Sequence, residues 1–155
     1  MKNPEARPLS LAETWLLNNR VNLFLLKSLT AEQLAFAASP RERSIADQLA
    51  HVHNVRIDWL GGSAPAGVKK IAKGAATRAL LSSSLEASGK AVAEIFVTAE
   101  AEGKVKGFKR GPAAFVAYFI SHEAHHRGQI VLHLKHARLP VDRAVAYRLW
   151  DWANL

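Results

Sequence analysis

The stretch that decides the fold reads Ser121-His122-Glu123-Ala124-His125-His126-Arg127-Gly128-Gln129-Ile130-Val131-Leu132-His133-Leu134. It contains no proline, and three histidines lie within its first six residues. Because a helix turns by about 100° per residue, His122 and His126 lie one turn apart on the same face. Two imidazoles at that spacing can bind one metal ion. The stretch therefore predicts a helix that carries part of a metal site.

This helix is predicted to begin at Gly111–Pro112, since proline is tolerated in the first turn, and to end at about Lys135 or Ala137. Two phenylalanines share a line along it with the histidines, so this face is predicted to point into the protein. Burying imidazoles without partners costs free energy, and a metal ion would satisfy them. The side chains on this line are Phe115, Phe119, His122, His126, Gln129 and His133.

A third ligand has to come from elsewhere, and the second predicted helix offers His51 and His53. Each lies about 90–110° from the centre of that helix's apolar stripe, so helix geometry leaves the choice between them open. His133 lies about 10.5 Å along the axis from His126, too far for one ion with bonds of about 2 Å. We expect His133 to be structural or to support a ligand, and His125 to lie at a helix contact or pocket edge.

Capping signals and apolar stripes predict three further long helices, over about 11–29, 45–60 and 77–101. The first two follow Ser10 and Ser44, and Gly61 ends the second. The first is predicted to be amphipathic, with Asn18, Asn19 and Asn22 among its polar positions. Strand signals are nearly absent. We expect an all-α four-helix bundle in a single domain, residues 1–155. The remaining segments are a connection with a short helical turn (30–43), a mobile loop (63–74), a basic loop with a short extended piece (102–111) and a short helix folded back on the bundle (142–155).

The composition limits the classes of function. The chain has 155 residues, no cysteine and a formal net charge of +8. The lack of cysteine excludes disulfides and thiolate ligands and predicts a cytoplasmic protein. The first twenty residues do not form a signal peptide, and no apolar run approaches the roughly 20 residues of a membrane span. The positive charge is scattered over loops, which favours a solvated basic surface over a nucleic-acid interface.

Three segments together resemble the DinB/YfiT-like superfamily of metal-binding four-helix bundles. His122 to Ile130 resembles its H-x-x-x-H-R-G-Q signature. Ser44 to Val52 is similar to its S-I-x-x-x-L-x-H segment, and Leu149 to Trp152 resembles the aromatic end of many members. The order and spacing of the predicted helices agree with that superfamily over most of the chain.

The resemblance implies that His51, His122 and His126 bind one divalent metal ion, nickel or zinc, with positions left open for water or substrate. It thereby selects His51 over His53. It also implies that Gly128 allows a close helix approach. The expected supporting or pocket residues are His53, His125, Arg127 and Gln129.

The superfamily further implies a thiol S-transferase, a thiol-dependent isomerase or a hydrolase, and a homodimer. Because this chain lacks cysteine, a low-molecular-weight thiol would be a co-substrate. Glu123, next to a ligand, is a candidate catalytic base or a structural ion-pair partner. The alternatives are a non-catalytic, stress-associated metal-binding bundle, a zinc-protease-like hydrolase using His122-Glu123-x-x-His126, and a basic nucleic-acid-binding protein. The protease pattern is incomplete, since Leu132 stands where its extended form requires histidine.

Overall fold

The computed structural model describes residues 7–154, and this part of the chain is a helical bundle whose only strand-like pairing is one isolated bridge. The predicted all-α fold with four long helices is confirmed. Two short 3-10 helices are also present among the described residues, at Gly61–Ser63 and Trp152–Asn154. The α-helices are α1 (Leu11–Ser28), α2 (Ala31–Ala35), α3 (Ile45–Leu60), α4 (Arg78–Glu102), α5 (Pro112–His136) and α6 (Arg143–Arg148).

Local capping chemistry sets the ends of these helices. The Ser10 hydroxyl accepts from the backbone N–H of Glu13, whose carboxylate accepts from the Ser10 N–H, so the capping box forms as predicted. The Ser44 hydroxyl caps α3 in a similar way, accepting from the Asp47 N–H. Gly61 ends α3 at φ +51°, a backbone conformation that glycine adopts without strain.

Two of the connections match their predictions, whereas the tail differs. The short helix α2 lies within 30–43, and Val105 and Phe108 form the isolated β-bridge in the basic loop. The tail was predicted to fold back on the bundle, and this is only partly right. Leu149 is buried, but Tyr147 and Trp150 are 75% and 81% exposed.

The core consists of two apolar clusters with a polar layer between them along the helices. One cluster is aromatic, with Trp15, Phe96, Phe115 and Phe119, and the other is aliphatic, with Leu25, Leu49, Leu85 and Ile130 among its members. The first helix was predicted to be amphipathic with its asparagines among the polar positions, yet all three asparagines are buried. The polar layer comprises Asn18, Asn19, Asn22, Arg56, Ser88, Glu123 and Arg127.

None of the helices between residues 7 and 154 has the length and apolar character that a membrane crossing requires.

Candidate metal centre

Three histidines from two helices converge at one point of the bundle. His51 lies on α3, and His122 and His126 lie one turn apart on α5. The ring centroid of His51 is 5.5 Å from that of His122 and 4.8 Å from that of His126, and the two α5 rings are 4.6 Å apart. One ligand nitrogen from each ring lies within 4.8 Å of the other two. Three imidazoles this close could hold one metal ion.

The contacts of these rings fit a shared cation. Nε2 of His122 lies 3.1 Å from Nε2 of His126. Two nitrogens bound tetrahedrally to one ion at about 2.0–2.1 Å would lie about 3.3 Å apart, close to that separation. The other ring nitrogen of His122, Nδ1, is buried and has no hydrogen-bond partner among residues 7–154. A cation between the rings would bind the lone pairs of the two Nε2 atoms, and Nδ1 of His122 would then carry the proton.

The electrostatic environment keeps the three rings neutral. Burial, together with the neighbouring His122 and His51, lowers the pKa of His126 to about 4. Burial also lowers the pKa of His51, helped by the charge of Arg43, and burial is the main cause of the lowered pKa of His122. Neutral imidazoles carry the free lone pair that a metal requires.

Gln48 contacts the site and was not among the sequence-predicted residues. Its Nε2 atom lies 3.3 Å from Nδ1 of His126 and donates to Oε1 of Gln129 over 2.7 Å. Gln48 precedes His51 by three residues, so both lie on one face of α3. That spacing is a signal from which it could have been predicted. A glutamine amide can present either oxygen or NH2 to a ring nitrogen, and its oxygen would accept from Nδ1–H when Nε2 binds metal.

The sequence pattern that defines the DinB family matches residues 1–142. The chain belongs to the DinB family. This match confirms the superfamily inferred from the motifs, and metal binding is a general property of the DinB family. The aromatic segment at 149–152, which also carried the resemblance, lies beyond the matched residues. None of the curated proteins and none of the solved structures compared with this DinB chain matched it significantly.

Two of the histidines considered as supporting residues are not members of the three-histidine cluster. His53 is fully buried, with Nδ1 3.0 Å from the Ser88 hydroxyl and Nε2 3.0 Å from the backbone carbonyl of Lys69. Both ring nitrogens are therefore engaged, and His53 joins α3 to α4 and to the loop that connects these two helices. His125 is exposed, with its ring centroid 5.4 Å from that of His126. This DinB chain thus has a candidate ligand in His51 and a structural residue in His53.

Glu123 lies in the polar layer and is 0% exposed. Arg56 donates to both of its carboxylate oxygens, from Nε over 2.7 Å and from Nη2 over 3.0 Å. Asn18 and Asn22 each donate to Oε2 over 2.6 Å. Three of these four N–H groups donate to Oε2 and one donates to Oε1, so both carboxylate oxygens are engaged by the protein. The geometry therefore favours the structural ion pair over a catalytic base, and it removes the general base that the zinc-protease interpretation requires.

The two residues that follow His126 differ in their surroundings. Arg127 is buried and donates from Nη1 to Oδ1 of Asn22 over 2.7 Å, and burial lowers its pKa to about 10. Gly128 was expected to allow a close helix approach, and this is wrong. It is exposed, and no atom lies within 4 Å of where its Cβ would be. The glycine that does allow a close approach is Gly89 on α4, which lies against Asn19.

Proposed function

We propose that this DinB protein binds one divalent metal ion through His51, His122 and His126 and is a metal-dependent enzyme of the transferase or hydrolase type. The observation that carries the proposal is the convergence of three neutral imidazoles from α3 and α5, with one nitrogen of each within 4.8 Å of the others. Nickel and zinc are the proposed ions, since imidazole suits both.

Three nitrogen ligands leave part of the coordination sphere open, as in catalytic rather than structural zinc sites. When bound, a divalent ion would act as a Lewis acid on a coordinated oxygen or thiol and lower its pKa. The protein's own residues prepare the site: the helices hold the rings in place, and burial keeps the rings unprotonated. Because the chain has no cysteine, a thiol reaction would draw on a low-molecular-weight co-substrate.

A homodimer and a small-molecule substrate belong to the same proposal, and their support is the family resemblance. Sedimentation equilibrium of the purified protein tests the dimer. A mass of one chain, 17.0 kDa, would contradict it.

The metal site is tested by removing all metal with a chelator and titrating the protein with Zn²⁺ and Ni²⁺. We expect one ion per chain and loss of that ion in His122→Ala. The matched control is His133→Ala, a half-buried histidine on the same helix. A wild-type protein that binds no ion stoichiometrically, or a control variant that loses the ion equally, would contradict the site.

Catalysis is tested separately from binding. Thiol conjugation or ester hydrolysis that disappears on metal removal and returns with the ion would support the enzyme. Stoichiometric metal binding with no turnover across thiols and hydrolysable substrates would favour the non-catalytic metal-binding bundle.

A further inference from the structure

A small cavity of about 240 Å³ opens beside one of the candidate ligands. Its wall includes His51 on α3, the residue before the N-cap of α3 (Arg43) and the loop residue Lys73. Pockets that hold whole drug-sized ligands have about 300–1,000 Å³. The cavity is therefore suited to a small molecule, or to one end of a larger one, next to His51.

Two polar side chains in the wall are already used to hold the loop. The Asn54 amide donates to the carbonyl of Ile71 over 2.9 Å and accepts from its N–H over 2.8 Å. Oδ1 of Asp47 accepts from the N–H of Gly74 over 2.8 Å. Ile71 itself is only 6% exposed. These hydrogen bonds and the buried Ile71 hold the 71–74 segment against α3, and they set the shape of the wall.

Two charged side chains of the wall, Arg43 and Lys73, are positive. Arg43 comes from the segment before α3, and Lys73 comes from the loop after α3. That loop returns to the first turn of the helix, where Gly74 bonds to Asp47. Neither Arg43 nor Lys73 forms an ion pair within 4.0 Å in the part of the chain that the structure describes. Asp47 is the opposing charge, and one of its oxygens is engaged by Gly74. A concave wall with excess positive charge concentrates anions.

We propose that this cavity binds an oxyanion, the carboxylate or phosphate group of a small substrate, between Arg43 and Lys73 and beside His51. Guanidinium and ammonium groups are the usual partners of such groups, and a guanidinium binds them through two parallel hydrogen bonds. The oxyanion would fix the substrate at the edge of the three-histidine cluster. The placement of a reacting group there rests on the function proposed above, whereas binding of the anion does not.

The test uses metal-free protein at low ionic strength, with succinate and inorganic phosphate as separate probes. Titration calorimetry gives the affinity, and NMR of the histidine rings gives the location. We expect saturable binding that shifts the His51 ring signals and leaves those of His133 unchanged. In the double variant Arg43→Gln/Lys73→Gln the dissociation constant should rise about tenfold. The control Lys27→Gln/Lys90→Gln removes two exposed lysines outside the cavity and should bind as the wild type does.

No saturable binding of either probe, or equal affinity in the double variant and the wild type, would overturn the proposal. Binding of phosphate alone would identify a phosphate group, and binding of succinate alone a carboxylate. The metal titration is run in parallel on the same variants. If the wild-type protein takes up no metal but binds an anion through Arg43 and Lys73, the proposed metal function fails and the anion site stands. If the protein binds the metal but no anion, the anion site fails and the proposed metal function stands.

Discussion

The side-chain amide of Gln48 on α3 lies 3.3 Å from Nδ1 of His126 on α5, and it also donates to Gln129. This contact joins the two helices that supply the candidate ligands. Partners of the second ring nitrogen orient metal-binding histidines, and their loss costs about 10–100-fold in affinity. Gln48→Leu should therefore weaken metal binding by about that factor.

The measurement is the Zn²⁺ dissociation constant by competition with a chelating dye. Gln33→Leu is the matched control, because Gln33 is buried to the same 7% exposure but bonds the carbonyls of Leu139 and Pro140. It should lower stability and leave the metal affinity unchanged. A Gln48→Leu protein with wild-type affinity would exclude a positioning role.

Substitutions of Arg56 and Glu123, which form a buried ion pair, should have strongly coupled effects on the free energy of unfolding. Both side chains are 0% exposed, so removing either partner leaves an uncompensated buried charge. Arg56→Met or Glu123→Leu should each lower the free energy of unfolding by about 3–5 kcal/mol. The double variant should lose less than the sum of the two, as measured by urea denaturation.

The exposed pair of Lys70 and Asp58 provides the comparison, since Lys70→Met should cost no more than about 1 kcal/mol. Additive losses in the Arg56→Met/Glu123→Leu double variant would show that the two side chains do not depend on each other.

Two helical glycines should respond in opposite ways to alanine. A Cβ on Gly89 would overlap the side-chain amide of Asn19, and Asn19 is held because its Oδ1 accepts from Arg56 over 2.8 Å. Gly89→Ala should therefore destabilise the protein by about 1–3 kcal/mol, despite better helix propensity. Gly128 has open space around it, so Gly128→Ala should stabilise by about 0.5–1 kcal/mol. Thermal unfolding of both variants decides this, and a stabilised Gly89→Ala would refute the close packing.

The metal-free protein should lose stability as the pH falls from 7 to about 4. The pKa of His126 is about 4 in the folded protein against 6.5 as its ordinary value. Between those values the unfolded chain takes up a proton that the folded chain does not, so stability rises with pH in this window. His126→Asn should show a smaller fall in Tm than the wild type over the same range. Parallel curves for the two proteins would mean that His126 titrates normally.

Much of the fold was predictable because its signals are local in the sequence. The capping serines, the glycine after Leu60 and the proline of α5 act on neighbouring backbone groups, so the ends of the helices follow from nearby residues. The pairing of His122 with His126 is also local, since helix geometry alone places them one turn apart. No tertiary information is needed for either.

Side chains that meet across helices were not predictable in this way. Asn18, Asn19 and Asn22 read as polar positions of an amphipathic helix, yet they are buried because Arg56, Glu123 and Arg127 lie opposite them. A polar residue is buried only where another segment supplies its hydrogen bonds, and the sequence of one helix does not identify that partner.

The sequence by itself determined the helical fold, the ends of the long helices and the pairing of two of the three candidate metal ligands, His122 and His126. Helix geometry left His51 and His53 open, and the motif resemblance selected His51. The tertiary structure brings His51 close to His122 and His126, bonds His53 to Ser88 and Lys69, and surrounds Glu123 with four donors. The physical reason is the sequence separation over which each kind of interaction acts. Helix signals act over a few residues, whereas the environment of His51 and Glu123 depends on how α3 and α1 pack against α5.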